Sequence, residues 1–377
     1  MPDQSYRTFL KNLEQQGELL HFTKEVDPAE NMSAIEWKAY NELGKASLFT
    51  NLKGHEGWHA TSQILADRKK WAIGLGVSED AILDEMSERL KQTVKTVNVG
   101  SDAAPVQEVV FEGDDVNILN VPAMMTSEDD GGRYFASGMA IVKDPDTGIR
   151  NMSVHRQMIL NERETGFIMV PRQAKRIYDM YAAQGKGMPV AMVYGAHPAI
   201  FYGSGFTTTY GKDELEVAGA LLGEGVRMVK CKTVDIEVPA EAEMVLEGEI
   251  LFDRQVPEGP FGESHGHINL EEFNFILNVT AITRQRNPVF TSIISQVTPS
   301  ESSVIKRVAY EPLFFDHLTG HLGVHGVKRV AMHEPLTNLR KVLVVQFERF
   351  ASQTEIWRAL YGAMSFQAPV GKYLIAV

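Results

Sequence analysis

The stretch FASGMAIVKDPDTGIRNMSVHRQMIL, residues 135–160, decides how the chain is to be read. Two runs rich in apolar and β-forming residues flank Asp144-Pro145-Asp146-Thr147-Gly148, whose residues favour a tight turn. The pattern predicts an antiparallel hairpin. Side chains alternate between the faces of a strand, so Asn151, Ser153 and His155 share one face while Val154 and Arg156 take the other. Asn151 and Ser153 offer oxygens to a metal or a phosphate, and Arg156 presents a planar fork suited to a carboxylate or phosphate. An arginine in a strand is more often half of a surface ion pair, and both readings stand on the residues alone.

Outward from the hairpin the texture stays strand-rich from about 106 to 300. MPVAMVYGAHPAIFYGSG (188–205) reads as a strand, a turn and a Gly-rich loop, and KDELEVAGALLGEGV (212–226) as a helix closed by glycine. KTVDIEVPAEAEMVLEGEILFDR (232–254) gives two further strands and NPVFTSIISQV (287–297) another. Upstream, APVQEVVFEGDDVNILNVP (104–122) reads as an extended linker. Residues 1–105 read as an α+β domain that opens with a helix capped by Ser5 and ends with SEDAILDEMSERLKQTV as a second helical run. From 301 a helix is followed by strand, strand, helix and a last strand-like piece, GKYLIAV, an α/β lobe over 301–377.

A chain of 377 residues suffices for two or three domains. The net charge of −12, spread along the sequence, argues against nucleic acid as partner. The single cysteine, Cys231, excludes an internal disulfide and suits a reducing compartment. No run approaches the ~20 apolar residues of a membrane span, and no signal-type run opens the chain, so a cytoplasmic protein without membrane partners is expected.

PEGPFGESHGH (257–267) holds Glu258 and Glu263 on either side of a Gly-Pro-Phe-Gly insert that no helix would tolerate. The expected structure is a shaped loop carrying two carboxylates, with His265 and His267 just behind. Carboxylates held close together shift one another, leaving one able to donate a proton while the other stays ionised. YGSGFTTTYG (202–211), placed before the helix at Glu214, has glycines and hydroxyls that could cradle an anion, yet matches neither dinucleotide-binding nor Walker motif. Glu214 in a first helical turn would stabilise the helix dipole in any case. His317, His321 and His325 have helical spacing, but Gly320, Gly323 and Gly326 argue against a sustained helix there, and they are discounted as a metal site. No G-x-S-x-G elbow occurs, which sets hydrolysis by a serine nucleophile aside.

Together, DGGRYFASGMAIVKDPDTGIRNMSVHR, PVAMVYGAHPAIFYGSG, DELEVAGALLG, VPAEAEMVLEGEI, PEGPFGESHGH and AITRQRNPVF, in this order, resemble the UbiD-like decarboxylases that use prenylated FMN. The resemblance implies a central split β-barrel of flavin-reductase type over 106–300, flanked by the N-terminal α+β domain and the C-terminal α/β lobe. It implies a reversible, non-oxidative decarboxylation of an aromatic, heteroaromatic or α,β-unsaturated acid. Arg156 would position the substrate carboxylate, Glu258 would hold Arg156, and Glu263 would protonate the carbon. Asn151, Gln173 and Glu214 would hold a divalent ion, Mn²⁺ or Mg²⁺, on the flavin phosphate. Ser153, His155, Ser204, Phe206 and Lys341 would complete the cofactor site, with K⁺ or Na⁺ near Ser204 and Phe206. Substrate-pocket residues are expected from 296–308 and from the C-terminal lobe. A flavin prenyltransferase would supply the cofactor, and a homodimer or larger homo-oligomer is implied.

The sequence departs from the family pattern at two places. Gln173 stands where relatives have a histidine, an oxygen donor acceptable to a hard ion but weaker than imidazole toward a transition metal. VVQFERFAS (344–352) replaces an acidic element, and relatives continue beyond the strand matching GKYLIAV, so the C-terminal lobe is expected to be short. Two other readings follow: a carboxylase or one subunit of a multi-component (de)carboxylase, and a flavin- or phosphate-binding protein without catalysis.

Overall fold

The computed structural model of the chain describes residues 3–206, 209–263, 266–296, 300–332, 341–366 and 371–377. The first helix, α1 (Tyr6–Gln15), starts where the Ser5 hydroxyl accepts from the Arg7 amide, and it buries Tyr6, Phe9, Leu10 and Leu13. It is followed by β1 (Leu19–Phe22), α2 (Met32–Leu43), β2 (Ala46–Phe49), β3 (His59–Ser62), α3 (Arg68–Leu75) and α4 (Ile82–Arg89). Then come β4 (Val97–Asn98), β5 (Val109–Glu112), β6 (Tyr134–Phe135), β7 (Met139–Lys143), β8 (Arg150–Val154), β9 (Gln157–Met158) and β10 (Glu164–Phe167). The middle continues through α5 (Gln173–Ala182), β11 (Met188–Tyr194), α6 (Pro198–Gly205), α7 (Glu214–Leu222), β12 (Arg227–Lys230) and β13 (Glu237–Pro239). Two long strands, β14 (Met244–Gly262) and β15 (Ile268–Arg284), precede β16 (Val289–Thr291). The last elements are α8 (Glu301–Asp316), β17 (Val327–Met332), β18 (Val342–Phe347), α9 (Gln353–Phe366) and β19 (Tyr373–Ala376).

The fold is mixed α/β. The central sheet runs β10-β15-β14-β11-β7-β8, with β5 also paired to β15. The predicted hairpin is present: β7 and β8 pair antiparallel with Val142 opposite Asn151 and Lys143 opposite Arg150. A four-stranded sheet, β1-β2-β3-β16, takes its last strand from far along the chain, with Val289 beside His59. In the C-terminal part β19 lies parallel to β18, joined through α9. One apolar core unites Phe9, Leu13, Trp71, Phe201, Leu215, Tyr310 and Phe314, and so fixes α6, α7 and α8 against the N-terminal helices. A second fills the other side of the central sheet with Phe135, Phe167, Ile177, Tyr194, Leu277 and Phe290.

Four local expectations are corrected. Residues 198–205 form a helix, not a loop: Pro198 stands in its first turn, the His197 ring accepts from the Ala199 amide, and residues 198–204 are buried. Gly203 belongs there because a Cβ would come 2.7 Å from the Glu214 carbonyl oxygen, so only glycine lets α6 approach the start of α7. Residues 104–122 are no linker, since Val109–Glu112 joins the central sheet opposite Ala281–Arg284 and Val116, Ile118 and Val121 are buried. Residues 257–262 are the bulged end of β14, with register shifts on both sides of Glu258, rather than a free-standing loop. Finally, His317–His321 continue from α8 as one π-helical turn despite Gly320. Among the described residues the central ladder does not close on itself, and its outer strands are β10 and β5, both on β15, and β8 at the other edge.

Candidate active site

Strand β8 supplies the first side of the site. Asn151, Ser153 and His155 all line a cavity of about 600 Å³. Its second side comes from helix starts and ends: Gln173 at the first turn of α5, Glu214 at the first turn of α7, and Ser204 and Phe206 at the end of α6. Seven residues singled out in the sequence thus meet at one cavity.

The tightest convergence is of Asn151, Gln173 and Glu214. The Asn151 Nδ2 lies 3.2 Å from Glu214 Oε1 and 3.3 Å from Gln173 Oε1. Glu214 is buried, and its Oε2 accepts from the Met152 amide at 2.8 Å, which fixes the carboxylate against β8. The Asn151 Oδ1 is buried and has no hydrogen-bond partner among the described residues. A buried acceptor left unpaired is costly, and a cation would satisfy it. Two amide oxygens and a carboxylate are hard donors that fit Mg²⁺ or Mn²⁺ rather than a thiophilic metal. Among the described residues no group of three His, Cys, Asp or Glu side chains could hold a metal, so the amides are part of any such set.

His155 and Ser153 are tied to each other. His155 Nδ1 donates to the Ile168 carbonyl at 2.7 Å, which leaves Nε2 to accept from Ser153 Oγ at 2.8 Å. The imidazole stacks on Phe167 with ring centres 4.5 Å apart. Burial, only partly offset by the Ile168 bond, brings its pKa down to about 4, so the ring is neutral near pH 7. Ser204 Oγ donates to the Phe201 carbonyl at 2.7 Å.

The two acids of 257–267 meet at the next residue of the β8 segment. Arg156 donates from Nε to Glu258 Oε1 at 2.9 Å and from Nη2 to Glu258 Oε2 at 2.8 Å, a bidentate pair. Its Nη1 donates to Glu263 Oε1. Burial alone would lower the guanidinium pKa, but the hydrogen bonds and charges of Glu258, with Glu263, raise it above its ordinary value. Phe261 lies under the guanidinium, 4.5 Å from its ring centre. The Glu258 side chain is 1% exposed and that of Glu263 22%, so one acid is sealed in and the other reaches solvent.

Three further residues of this cluster, Asp130, Gly131 and Tyr134, lie in the DGGRYF run, where nothing local assigns them a role. Asp130 holds the acid-bearing segment: its Oδ1 accepts from the Gly262 amide at 3.2 Å and from Gln296 at 3.1 Å, while its Oδ2 accepts from Thr126 and Ser127. Gly131 donates its amide to the Pro260 carbonyl at 2.7 Å, and a Cβ there would overlap the Gly259 backbone. Tyr134 packs on Phe261, and burial together with the Glu258 charge pushes its phenol pKa well up. On the far wall, α8 presents Ser302, Ile305, Lys306 and Tyr310 to the cavity, three of them within the expected 296–308. Arg172, beside Gln173, also lines it.

Lys341 is not brought to the cavity. It precedes β18, where its carbonyl accepts from the Tyr373 amide. The carbonyl of His267 accepts from the Glu263 amide at 2.8 Å, while His265 lies outside the described residues. His317 and His321 sit 6.1 Å apart, ring to ring, at the end of α8 and do not line the cavity. No helix among the described residues is long and apolar enough to cross a membrane.

Comparison with known proteins gives a consistent picture. Residues 97–297 match the model of the 3-octaprenyl-4-hydroxybenzoate carboxy-lyase Rift-related domain (UbiD), and residues 10–90 match the N-terminal domain of the same carboxy-lyase. Ferulic acid decarboxylase 1 of Saccharomyces cerevisiae is 32% identical over 285 residues, 71% of this chain and 57% of that protein. Pyrrole-2-carboxylic acid decarboxylase of Pseudomonas aeruginosa is 30% identical over 314 residues, 80% of this chain and 63% of that protein. The matched part of the chain therefore spans less than two thirds of these curated relatives. Among solved structures, an evolved dimeric form of the UbiD-class enzyme HmfF from Pelotomaculum thermopropionicum, in complex with prFMN, superposes with a TM-score of 0.93 at 31% identity, over 99% of this chain and 85% of that one.

Proposed function

The chain belongs to the UbiD carboxy-lyase family, and from that premise we propose that it catalyses reversible, non-oxidative decarboxylation of an aromatic, heteroaromatic or α,β-unsaturated acid with prenylated FMN. The observation that carries this reading is the Glu258–Arg156–Glu263 cluster, set one residue along the chain from the cavity-lining His155. A protein that only stored or carried a flavin would need no such pair of acids around one arginine.

When bound, the prenylated flavin supplies the electron sink that an sp² carbon lacks as CO₂ leaves. Asn151, Gln173 and Glu214 would hold a divalent ion, Mn²⁺ or Mg²⁺, to offset the charge of the flavin phosphate, and Ser204 and Phe206 would contribute to a site for K⁺ or Na⁺. Arg156 has five N–H donors, of which Glu258 and Glu263 take three. One donor on each terminal nitrogen is left to grip the substrate carboxylate. Glu258, sealed in the protein, fixes the plane of that fork. Glu263 gives its proton to the substrate carbon and regains one through its solvent-reaching side. Lys306 and Arg172 place positive charge around a cavity that must accept anions.

The same reading includes a split-barrel central sheet of flavin-reductase type, supported by the repeated register shifts along β14 and β15 that curl a sheet. It includes a cytoplasmic setting, a flavin prenyltransferase as cofactor source, and a homo-oligomer. Trp357, Tyr361 and Met364, exposed along one face of α9, support association with another chain and keep a multi-component (de)carboxylase in view. Reconstitution with prenylated FMN, Mn²⁺ and K⁺, followed by CO₂ release from a panel of acids, tests the function. Turnover lost in Arg156→Lys with cofactor retained is the expected result, and full turnover in that variant would refute the role of the fork.

A further inference from the structure

Behind the ion-binding donors, on the opposite side of β8 and of the α7 start, lies a second cleft of about 570 Å³. Arg150 and Asp213 line it, each one residue before a donor of the first cavity, Asn151 and Glu214. Arg150 Nε donates to Asp213 Oδ2 at 2.8 Å, and its Nη2 lies 2.7 Å from the same oxygen. Nη2 also donates to Thr96 Oγ1 at 2.9 Å and Nη1 to Glu237 Oε2 at 3.3 Å. Both members of the pair are about nine-tenths buried, at 12% and 10% side-chain exposure. Asp213 does a second job, since its Oδ1 caps α7 through the Leu215 amide at 2.9 Å.

Strand and helix are thus fastened by two consecutive pairs facing opposite ways. Arg150 with Asp213 closes the outside, and Asn151 with Glu214 faces the cavity. The bond behind them ties together the two backbone segments that carry these donors, and the Met152 amide holds the Glu214 carboxylate from the strand side. We propose that the Arg150–Asp213 ion pair is a positioning device that fixes the spacing of Asn151 and Glu214 and thereby sets the affinity of the site for its divalent ion. The proposal rests on reading Asn151, Gln173 and Glu214 as ion donors. Partners behind metal ligands commonly govern affinity by one to two orders of magnitude, because a donor held at the wrong distance gives up part of its bond.

The test is titration of FMN-loaded protein with Mn²⁺, following free Mn²⁺ by electron paramagnetic resonance, so that no turnover is needed. Arg150→Gln and Asp213→Asn should each weaken Mn²⁺ about ten-fold, and Arg150→Lys should recover part of the loss. Asn at 213 keeps the cap oxygen, so Asp213→Asn carries the test even if Arg150→Gln does not fold. Glu237→Gln removes the other carboxylate from Arg150 without touching α7 and should leave the affinity unchanged. Wild-type affinity in both Arg150→Gln and Asp213→Asn, or an equal loss in Glu237→Gln, overturns the positioning role while leaving the ion site intact. Failure of the wild-type protein to take up Mn²⁺ at all removes the donors themselves, and the positioning role with them.

Discussion

Glu263 and Glu258 flank the same arginine but differ in what reaches them. Glu258 is sealed and bidentate on Arg156, so its loss leaves a buried guanidinium without its main partner, a change of the kind that costs about 3–5 kcal/mol. Glu258→Gln is therefore expected to lower the melting temperature as well as activity, whereas Glu263→Gln should abolish proton delivery, about 10²-fold or more, with little effect on melting. Thermal melts run beside turnover assays separate the two. Gly131 belongs to this scale too. Gly131→Ala pushes a methyl into the Gly259 backbone and should cost about 1–3 kcal/mol and displace both acids; an unchanged melting temperature would show that the segment yields.

At the scale of elements, the proposed ion donors come from one strand and two helix starts, so their identity can change without disturbing the elements. Gln173 occupies the first residue of α5, and Gln173→His would exchange an amide oxygen for an imidazole nitrogen. The expected outcome is a shift of preference from Mg²⁺ toward Zn²⁺ in competition titrations of the FMN-loaded protein, since imidazole favours the softer ion. How much of this was legible in the sequence differs by element. The β7–β8 hairpin and α7 follow from local chemistry, turn residues in one case and a glycine close in the other. Helix α6 was not legible, because Gly203 serves a close approach to α7 and Gly205 one to α8, and both appear only when the helices are placed. The acid-bearing end of β14 reads as a loop because its bulges against β15 break the alternation. Asp130 and Gly131 lie within a motif of the family resemblance, yet their work is to hold a segment about 130 residues later, a contact no local pattern announces.

Taken as a whole, the molecule holds its site between a central sheet and α8, with α8 itself anchored through Glu301 to the amides of Gln63 and Leu65. Acid should loosen that assembly through His155. Its folded pKa, about 4, lies below the ordinary 6.5, so the neutral ring is what the fold accommodates. Stability from this group is fully present above about 6.5 and is lost as pH falls from there toward 4, by on the order of 3 kcal/mol. His155→Gln should flatten that part of the stability-against-pH curve, measured by denaturant unfolding between pH 4 and 7. The same loss in the variant would place the acid sensitivity elsewhere.

The measurement that tests the account most directly is CO₂ release by wild-type protein and Glu263→Gln, both loaded with prenylated FMN, Mn²⁺ and K⁺ and both checked for bound cofactor by intact mass. The account predicts release by the wild type from at least one aromatic, heteroaromatic or α,β-unsaturated acid, and none from Glu263→Gln at equal cofactor content. Fully loaded wild-type protein inert toward the whole panel, or a Glu263→Gln variant as active as wild type, would contradict it.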